Sequence, residues 1–221
     1  MEEITVPHNK PTLRAELLKH RKSLSPAERA EADRSTWNAL RDLLSDSLDE
    51  GAVVAAYRPF GAEPGATLNP ELPERLSEIY KVILPVVLPD NDLDWTTLGS
   101  LAPQAPAATA GGSGDGDTGA IAIAGLAMTG PRGTEEVAAC DGTDAIARAD
   151  AVLVPALAVS HGGTRLGRGG GSYDRALARI APGTPVIALL RDGEFGEVVP
   201  AEAHDRSVTG VVTPSGGFIP V

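Results

Sequence analysis

The chain has 221 residues, of which 42% are hydrophobic and 22% charged, enough for one good hydrophobic core or at most two small ones. Its net charge of -11 would repel nucleic acid and anionic membranes, so we expect neither as a partner. A single cysteine, Cys140, excludes an internal disulfide and any multi-cysteine metal site. Because the first ten residues lack a secretion-signal pattern and no apolar stretch could cross a bilayer, we expect a cytoplasmic protein.

Two amphipathic helices are predicted at the start of the chain. The first, around residues 13–24, places Leu13, Leu17 and Arg21 on one face. The sequence Ser25-Pro26-Ala27-Glu28 then matches a capping box with proline at the first helical position. The helix that begins there carries apolar residues at three- and four-residue spacing, namely Trp37, Leu40, Leu44 and Leu48. This spacing predicts one buried face, and Gly51 ends the helix.

Apolar runs typical of buried strands follow. Residues 52–57 form the first run. The segment Asn69-Pro70-Glu71 is then predicted to cap a short helix with three inward residues, Leu72, Leu76 and Ile79. The later strand candidates are residues 82–88, 151–159, 185–190 and 208–213. Pro85 indicates that the first of these is an edge strand or contains a bulge.

The alternation of strands and helices predicts an α/β fold with an open, mostly parallel sheet and helices on both faces. Residues 102–119 consist almost entirely of Ala, Pro, Gly, Ser, Thr and Asp, which indicates a flexible surface insertion. The segments on either side are too short to stand alone. We therefore expect a single domain over residues 1–221.

The most informative segment is residues 165–175, which read R-L-G-R-G-G-G-S-Y-D-R. It follows the strand candidate at 151–159 and leads into a predicted helix at 173–180, so it lies where α/β sheets bind ligands. Glycines allow close approach of the backbone to a ligand, while arginines and a helix N-terminus supply positive charge. The segment therefore predicts a phosphate site.

This loop and the rest of the chain also have other interpretations. The loop is not a Walker P-loop, and Ser172 stands where the dinucleotide fingerprint requires its third glycine. A glycine-rich loop can also be a plain connector, with Ser172 as a helix N-cap and Asp174 favouring the helix dipole. The histidines lack metal-ligand spacing, and Ser160-His161 lacks a nucleophile elbow.

Longer motifs narrow the choice. Residues 150–175 fit D-x-x-x-x-P-A-x-A-x-x-x-x-G-x-R-L-G-R-G-x-G, followed by x-Y-D. Four shorter motifs occur along the chain: Lys10-x-x-Leu13-Arg14, Tyr57-x-Pro59-x-x-x-Glu63, Leu84-Pro85-Val86-Val87 and Pro200-x-Glu202-x-His204-Asp205. With these motifs the chain resembles the 5-formyltetrahydrofolate cyclo-ligases, also called methenyltetrahydrofolate synthetases, over nearly its whole length except residues 102–119. The resemblance implies a Rossmann-like fold of the type shared with NagB, RpiA and CoA transferases.

The resemblance also implies a reaction. Members of the family convert 5-formyltetrahydrofolate to 5,10-methenyltetrahydrofolate while splitting ATP to ADP and phosphate, with Mg²⁺. The formyl oxygen attacks the γ-phosphate, N10 closes the ring and phosphate leaves. Both nucleophiles belong to the substrate, so the protein has to supply positioning and charge neutralisation. The implied partner is a small folate, with or without a polyglutamate tail, and we expect a monomer.

By the same resemblance, specific residues take specific roles. ATP would be bound by Lys10, Arg14, Arg165, Leu166, Gly167, Arg168, Gly169, Gly170, Gly171, Ser172 and Tyr173. The folate would be bound by Tyr57, Glu63, Arg168, Gly169, Gly170, Gly171 and Ser172. Arg168 and Tyr173 would act in catalysis. Asp174 and Asp205 would hold Mg²⁺, an ion that prefers carboxylate and phosphate oxygens.

Plainer interpretations remain open for these residues. Lys10 and Arg14 could lie on the solvent-exposed face of a helix, Glu63 could be solvated, and Asp205 could belong to an ordinary turn. The chain also departs from the family: Ser172 replaces an aromatic residue, Gly170 stands where some members have lysine, and Thr209 stands where aspartate often follows the His-Asp pair. These departures leave open an alternative function, a related protein that binds nucleotide or folate without cyclising it.

Overall fold

The computed structural model describes residues 9–99, 122–123, 127–130, 133–136, 140–200 and 205–221, the three short segments between 122 and 136 by their backbone alone. The predicted insertion at 102–119 and the motif residues Glu202 and His204 lie outside the described residues. The expectations of a flexible insertion and of a single domain therefore stay predictions.

The first two helices form as their local sequences predict. Helix α1 spans Lys10–Ser23, with the Asn9 side chain accepting a hydrogen bond from the backbone N–H of Thr12. Its buried residues are Leu13, Leu17 and Arg21, which confirms the predicted face. Helix α2 spans Pro26–Ser47. It begins with the capping box, in which the Ser25 hydroxyl accepts from the Glu28 N–H and the Glu28 carboxylate accepts from the Ser25 N–H.

The later helices are shorter than predicted, and two capping predictions are wrong. Helix α3 spans Leu72–Ser77, and its N-cap is Glu71, with no side-chain capping bond, in place of the predicted Asn69. It ends before Ile79, so that side chain falls in the following turn and is 40% exposed, not buried. Helix α4 spans Ser172–Leu177. Its N-cap is Gly171, in the left-handed conformation, so Ser172 is its first helical residue and not its cap.

The strands pair into one large mixed sheet and a two-stranded one. Those of the large sheet are β1 (Val53–Ala55), β2 (Lys81–Val87), β3 (Leu93–Thr97), β4 (Ala122–Ile123), β5 (Ala127–Gly130), β6 (Gly133–Glu136), β7 (Ala151–Pro155), β10 (Val186–Leu189), β11 (Gly210–Thr213) and β12 (Gly217–Pro220). Their order is β12-β11-β10-β7-β1-β2-β4-β5-β6, with β3 also paired to β2. The run from β11 to β4 is parallel, while β3, β5, β6 and β12 pair antiparallel. This confirms the mostly parallel sheet.

Two strand predictions need correction. The candidate at 151–159 is two strands, because β7 ends at Pro155 and the chain then turns into β8 (Ala158–Val159), which pairs with β9 (Arg165–Leu166) in the small sheet. Strand β2 is an interior strand and not an edge. It tolerates Pro85 because pairing with β1 stops at Ile83 and pairing with β4 occurs at Val87.

Alternating side chains of the central strands enter two hydrophobic clusters on opposite faces of the sheet. One cluster includes Leu40 and Leu44 of α2 together with α3. The other includes α4 and a short 3-10 helix, Thr143–Arg148. These two clusters confirm helices on both faces. Helix α1 lies apart from them and packs on the β8–β9 pair, which brings it to the glycine loop.

Candidate active site

The glycine loop joins β9 to α4 and is shaped by its own side-chain contacts. Gly167 leaves room for the Arg165 guanidinium: a Cβ atom at that position would lie 2.5 Å from Arg165 Nη1, which would have to move. Gly169 and Gly171 have φ angles of 108° and 67°, which L side chains rarely adopt. The local sequence thus dictates a tight turn, and Arg165 Nη1 lies 3.4 Å from the carbonyl of Pro155, the last residue of β7. The loop therefore lies at the carboxyl end of the sheet, as predicted.

Three cationic side chains around the loop make different contacts. Arg165 is 8% exposed and its Nη2 lies 3.0 Å from Asp174 Oδ1, beneath the loop. Arg14 donates from Nε to the carbonyl oxygen of Gly167 at 2.8 Å. Lys10 Nζ lies 3.1 Å from Asp205 Oδ2. Lys10 and Arg14 thus point from α1 towards the loop and the Asp205 segment, which argues against the plainer interpretation of a wet helix face.

The two aspartates predicted to hold a metal belong to neighbouring segments. Asp174 Oδ1 accepts a hydrogen bond of 3.3 Å from the backbone N–H of Arg206, which follows Asp205. Each carboxylate also has a cationic partner, Arg165 and Lys10 respectively. Within the described ranges, no group of three or more His, Cys, Asp or Glu side chains could hold a metal ion. Any Mg²⁺ at this pair would therefore need further oxygen ligands from phosphate or water.

Glu63 is joined directly to the glycine loop. Its carboxylate is buried, and Oε1 lies 3.0 Å from Arg168 Nη2, while Oε2 accepts from the Phe60 N–H at 3.1 Å. The Arg168 guanidinium also lies 4.7 Å from the Phe60 ring centroid. Burial raises the pKa of Glu63 above its ordinary value, although the charge of Arg168 opposes the shift. The plainer interpretation of Glu63 as a solvated loop residue is wrong.

Comparison with known proteins places this arrangement in a family. A model of the 5-formyltetrahydrofolate cyclo-ligase family matches residues 6–214. The chain is 37% identical over 220 residues to the 5-formyltetrahydrofolate cyclo-ligase of Mycolicibacterium smegmatis, covering 96% of this chain and 97% of that one. The chain belongs to the 5-formyltetrahydrofolate cyclo-ligase family.

Two solved structures have the same fold. The 5,10-methenyltetrahydrofolate synthetase of Mycoplasma pneumoniae aligns with a TM-score of 0.67 at 18% identity, covering 94% of this chain and 100% of that one. The synthetase of Aquifex aeolicus aligns with a TM-score of 0.66 at 24% identity, covering 94% of this chain and 90% of that one. At these identities the likeness shows the fold.

Among the described residues no helix is both long and apolar enough to cross a membrane.

Two tyrosines of the cyclo-ligase motifs lie close beneath the site. Tyr57 is buried, and its burial, together with the charge of Glu63, raises the pKa of its phenol. Burial also raises the pKa of Tyr173. The Tyr173 hydroxyl has no hydrogen-bond partner within the described part of the chain, which is costly for a buried donor and leaves it available to a ligand.

Of the three positions that depart from the cyclo-ligase pattern, the structure accounts for the contacts of Thr209 and Gly170. Thr209 accepts from the Val186 N–H at 2.9 Å and donates to the Val186 carbonyl at 3.1 Å, so its hydroxyl ties β11 to the start of β10. Gly170 is exposed, and a Cβ there would make only an ordinary contact of 3.5 Å with the Ser172 hydroxyl. Nothing in the structure explains why serine replaces an aromatic residue at 172.

Sequence reasoning missed two buried ion pairs next to the site. Arg21 and Glu194 form a bidentate pair, with distances of 2.6 Å (Nε to Oε1) and 2.7 Å (Nη2 to Oε2). Asp33 and Arg191 form the other, at 2.6 Å between Oδ1 and Nη1. The one signal in the sequence was Arg21 on the apolar face of the first helix. The other three residues carry no pattern that marks them.

Proposed function

We propose that this chain catalyses the ATP-dependent cyclisation of 5-formyltetrahydrofolate to 5,10-methenyltetrahydrofolate, releasing ADP and phosphate. This is the reaction of the family to which the chain belongs. The observation that carries the proposal is the contact between Arg168 of the glycine loop and the buried carboxylate of Glu63. The contact supports the proposal because it brings a guanidinium, which suits phosphate, next to a carboxylate, which suits the N–H donors of a pterin ring.

On the phosphate side, positive groups converge on one loop. Arg14 of α1 donates to the loop at Gly167, Arg168 lies within the loop, and Lys10 of α1 pairs with Asp205 on the neighbouring segment. Exposed Gly169 and Gly170 leave their backbone open to a ligand, as a phosphate cradle requires. In phosphoryl transfer these groups would orient the γ-phosphate and neutralise its charge. The formyl oxygen would attack the phosphorus and displace ADP, and N10 would then attack the activated carbon and displace phosphate.

On the folate side, Glu63 supplies a carboxylate largely shielded from water. Its ionised form accepts hydrogen bonds strongly, and in a buried site such bonds are stronger than in solvent. We assign Glu63 to the pterin N–H groups. Tyr57, beneath it, would form the floor of the folate site. Tyr173, whose buried hydroxyl is unpartnered within the described residues, would donate to a ligand oxygen.

Asp174 and Asp205 suit Mg²⁺ by chemistry, because both are carboxylates on adjacent segments beside the loop. If bound, the ion would neutralise phosphate charge. Lys10 and Arg165 would then have to share these carboxylates with the metal, since each cation pairs with one of them.

A direct assay tests this function. Purified protein is mixed with 5-formyltetrahydrofolate, ATP and Mg²⁺, and the near-ultraviolet absorbance of methenyltetrahydrofolate is followed. We expect a rise that requires both ATP and the metal. Absence of product, with ATP or folate still binding by calorimetry, would overturn the proposal in favour of a binding protein.

A further inference from the structure

Asp33 and Arg191 form an ion pair in the interior, although neither belongs to a motif of the chain. Asp33 is 0% exposed and Arg191 is 2% exposed, and 2.6 Å separates Asp33 Oδ1 from Arg191 Nη1. Moving two charges out of water has a desolvation free energy that their attraction often fails to recover. A buried ion pair is therefore weak evidence for added stability. Its other hydrogen bonds indicate what it does.

Within the described part of the chain, every other hydrogen bond of the two side chains goes to one segment, residues 60–67. Asp33 Oδ1 accepts from the Gly65 N–H at 2.7 Å, and Oδ2 accepts from the Thr67 N–H at 2.8 Å and from the Thr67 hydroxyl at 2.6 Å. Arg191 Nη2 donates to the carbonyl oxygen of Glu63 at 2.9 Å. A longer contact of 3.4 Å joins the same nitrogen to the carbonyl of Ala62.

This segment has no helix or strand to hold it. Residues 61–67 are turns and bends whose own backbone bonds are short-range, such as Glu63 N–H to Phe60 O and Ala66 N–H to Glu63 O. The bonds to Asp33 and Arg191 are the ones described here that tie this segment to distant elements. The side chain of Glu63 can stay in one orientation beside Arg168 only if its backbone is fixed. The two members of the pair come from other parts of the fold. Asp33 lies within α2, and Arg191 lies two residues after the end of β10.

The turn that carries Arg191 is itself anchored. The Arg191 N–H donates to Glu194 Oε2 at 2.7 Å, and Glu194 is paired with Arg21 of α1. Arg21 also donates to the carbonyl of Ala156, just beyond β7. The backbone of Arg191 is therefore tied, through Glu194 and Arg21, to the carboxyl end of β7.

We propose that Asp33 and Arg191 are positioning residues for Glu63, and that through it they set the affinity for the folate substrate. The proposal rests on the proposed function, because Glu63 acts on folate only if the protein binds it. Loosening the pair should raise the KM for 5-formyltetrahydrofolate and leave the KM for ATP near its wild-type value. A purely structural pair would instead lower stability and affect both substrates alike.

Two substitutions loosen the tether without leaving a lone buried charge. Arg191→Lys keeps the ion pair with Asp33 but removes the planar fork that reaches the Glu63 carbonyl at the same time. Thr67→Val removes the hydroxyl bond to Asp33 at an exposed residue where unfolding is not expected. Thr67→Ser is the matched control for the latter, because it retains the hydroxyl.

A fourth variant controls for the loss of a bidentate arginine–carboxylate pair as such, here a partly buried one. Arg179 pairs with Asp92 through both oxygens, at 2.9 Å and 2.5 Å, in a position that does not touch residues 60–67. Arg179→Gln should lower stability and leave both KM values unchanged. It therefore separates a general loss of stability from a loss of Glu63 positioning.

The experiment measures initial rates against each substrate for the wild type and the four variants, with amide hydrogen exchange at Gly65 and Thr67. We expect the folate KM to rise about tenfold in Arg191→Lys and about fivefold in Thr67→Val, with faster exchange at both amides and recovery in Thr67→Ser. A folate KM within twofold of wild type in both variants, or an equal rise in both KM values, would overturn the positioning role alone. A wild-type protein that forms no product would instead refute the proposed function, and the positioning role with it.

Discussion

Arg168 Nη2 lies 3.0 Å from Glu63 Oε1, although the two residues are 105 positions apart in the chain. The contact joins the glycine loop after β9 to the segment after β1, and both side chains have proposed ligands of their own. The buried carboxylate of Glu63 fixes the position of the Arg168 guanidinium. The contact therefore joins the two proposed substrate sites.

Replacing Arg168 tests the phosphate side of this contact. Arg168→Ala should lower kcat/KM for ATP, because a charge-assisted bond to the transferring phosphate is lost. The expected loss of transition-state stabilisation is about 2 kcal/mol or more. Glu63 would also lose its cationic partner. Steady-state rates against ATP measure the effect. Unchanged ATP-dependent turnover in this variant would refute the assignment of Arg168.

Replacing Glu63 tests the folate side. Glu63→Gln retains the shape of the side chain and removes its charge, so we expect weaker folate binding by about 2 kcal/mol and little change in ATP affinity. Calorimetric titration with each ligand separately measures the two effects. Equal loss of both affinities would show that Glu63 supports the loop as a whole.

The pH dependence of folate binding follows from the same carboxylate. Burial raises the pKa of Glu63. In the proposed site, the ionised carboxylate is the form that would accept two hydrogen bonds from the pterin N–H groups. Folate binding should therefore weaken as pH falls through this raised pKa, at a higher pH than an ordinary glutamate at about 4.3 would cause. Titrations of folate affinity against pH check this. The same acid limb in Glu63→Gln would assign it to another group.

Two glycines of the loop give a matched pair of variants. Gly167→Ala would place a Cβ atom 2.5 Å from Arg165 Nη1 and should displace that guanidinium from Asp174, at a cost of about 1–3 kcal/mol in stability. Gly170→Ala meets only an ordinary contact of 3.5 Å and should unfold like the wild type. Urea unfolding of both variants decides the matter. Equal stability of the two would contradict the packing described for Arg165.

Asp92 and Arg179 give a prediction for acid stability. The hydrogen bond from Arg179 lowers the pKa of Asp92 in the folded protein. The stability that this pair contributes is present above the unfolded pKa of about 3.9 and is lost as pH falls through the lower folded pKa. Arg179→Gln should therefore be less stable near pH 6 and should lose less stability on acidification. Parallel pH profiles of the free energy of unfolding would contradict this.

Local sequence patterns predicted the parts of the molecule that depend on neighbouring residues. The capping box at Ser25 and the buried face of α1 needed only adjacent residues. Strand β3, which reads L-D-W-T-T, was missed even though Leu93 and Trp95 alternate with polar residues. The capping prediction at Asn69 failed because the helix starts later, after Glu71.

The long-range contacts of the site could not be predicted in the same way. Asp33 and Arg191 are separated by 158 positions, and neither lies in a pattern that would pair them. The motifs indicated Glu63 and Arg168 separately, but the distance between them is set by the pairing of β1 with β7. Topology, which the order of strands along the chain does not reveal, brings these groups together.

In the proposed reaction, one site couples ATP cleavage to ring closure. The most direct measurement follows ADP and methenyltetrahydrofolate in the same reaction of the wild-type protein with 5-formyltetrahydrofolate, ATP and Mg²⁺. We predict that the two products form in equal amounts and that neither forms when the folate is omitted. ADP release without methenyltetrahydrofolate, or ring closure without ATP, would contradict the account.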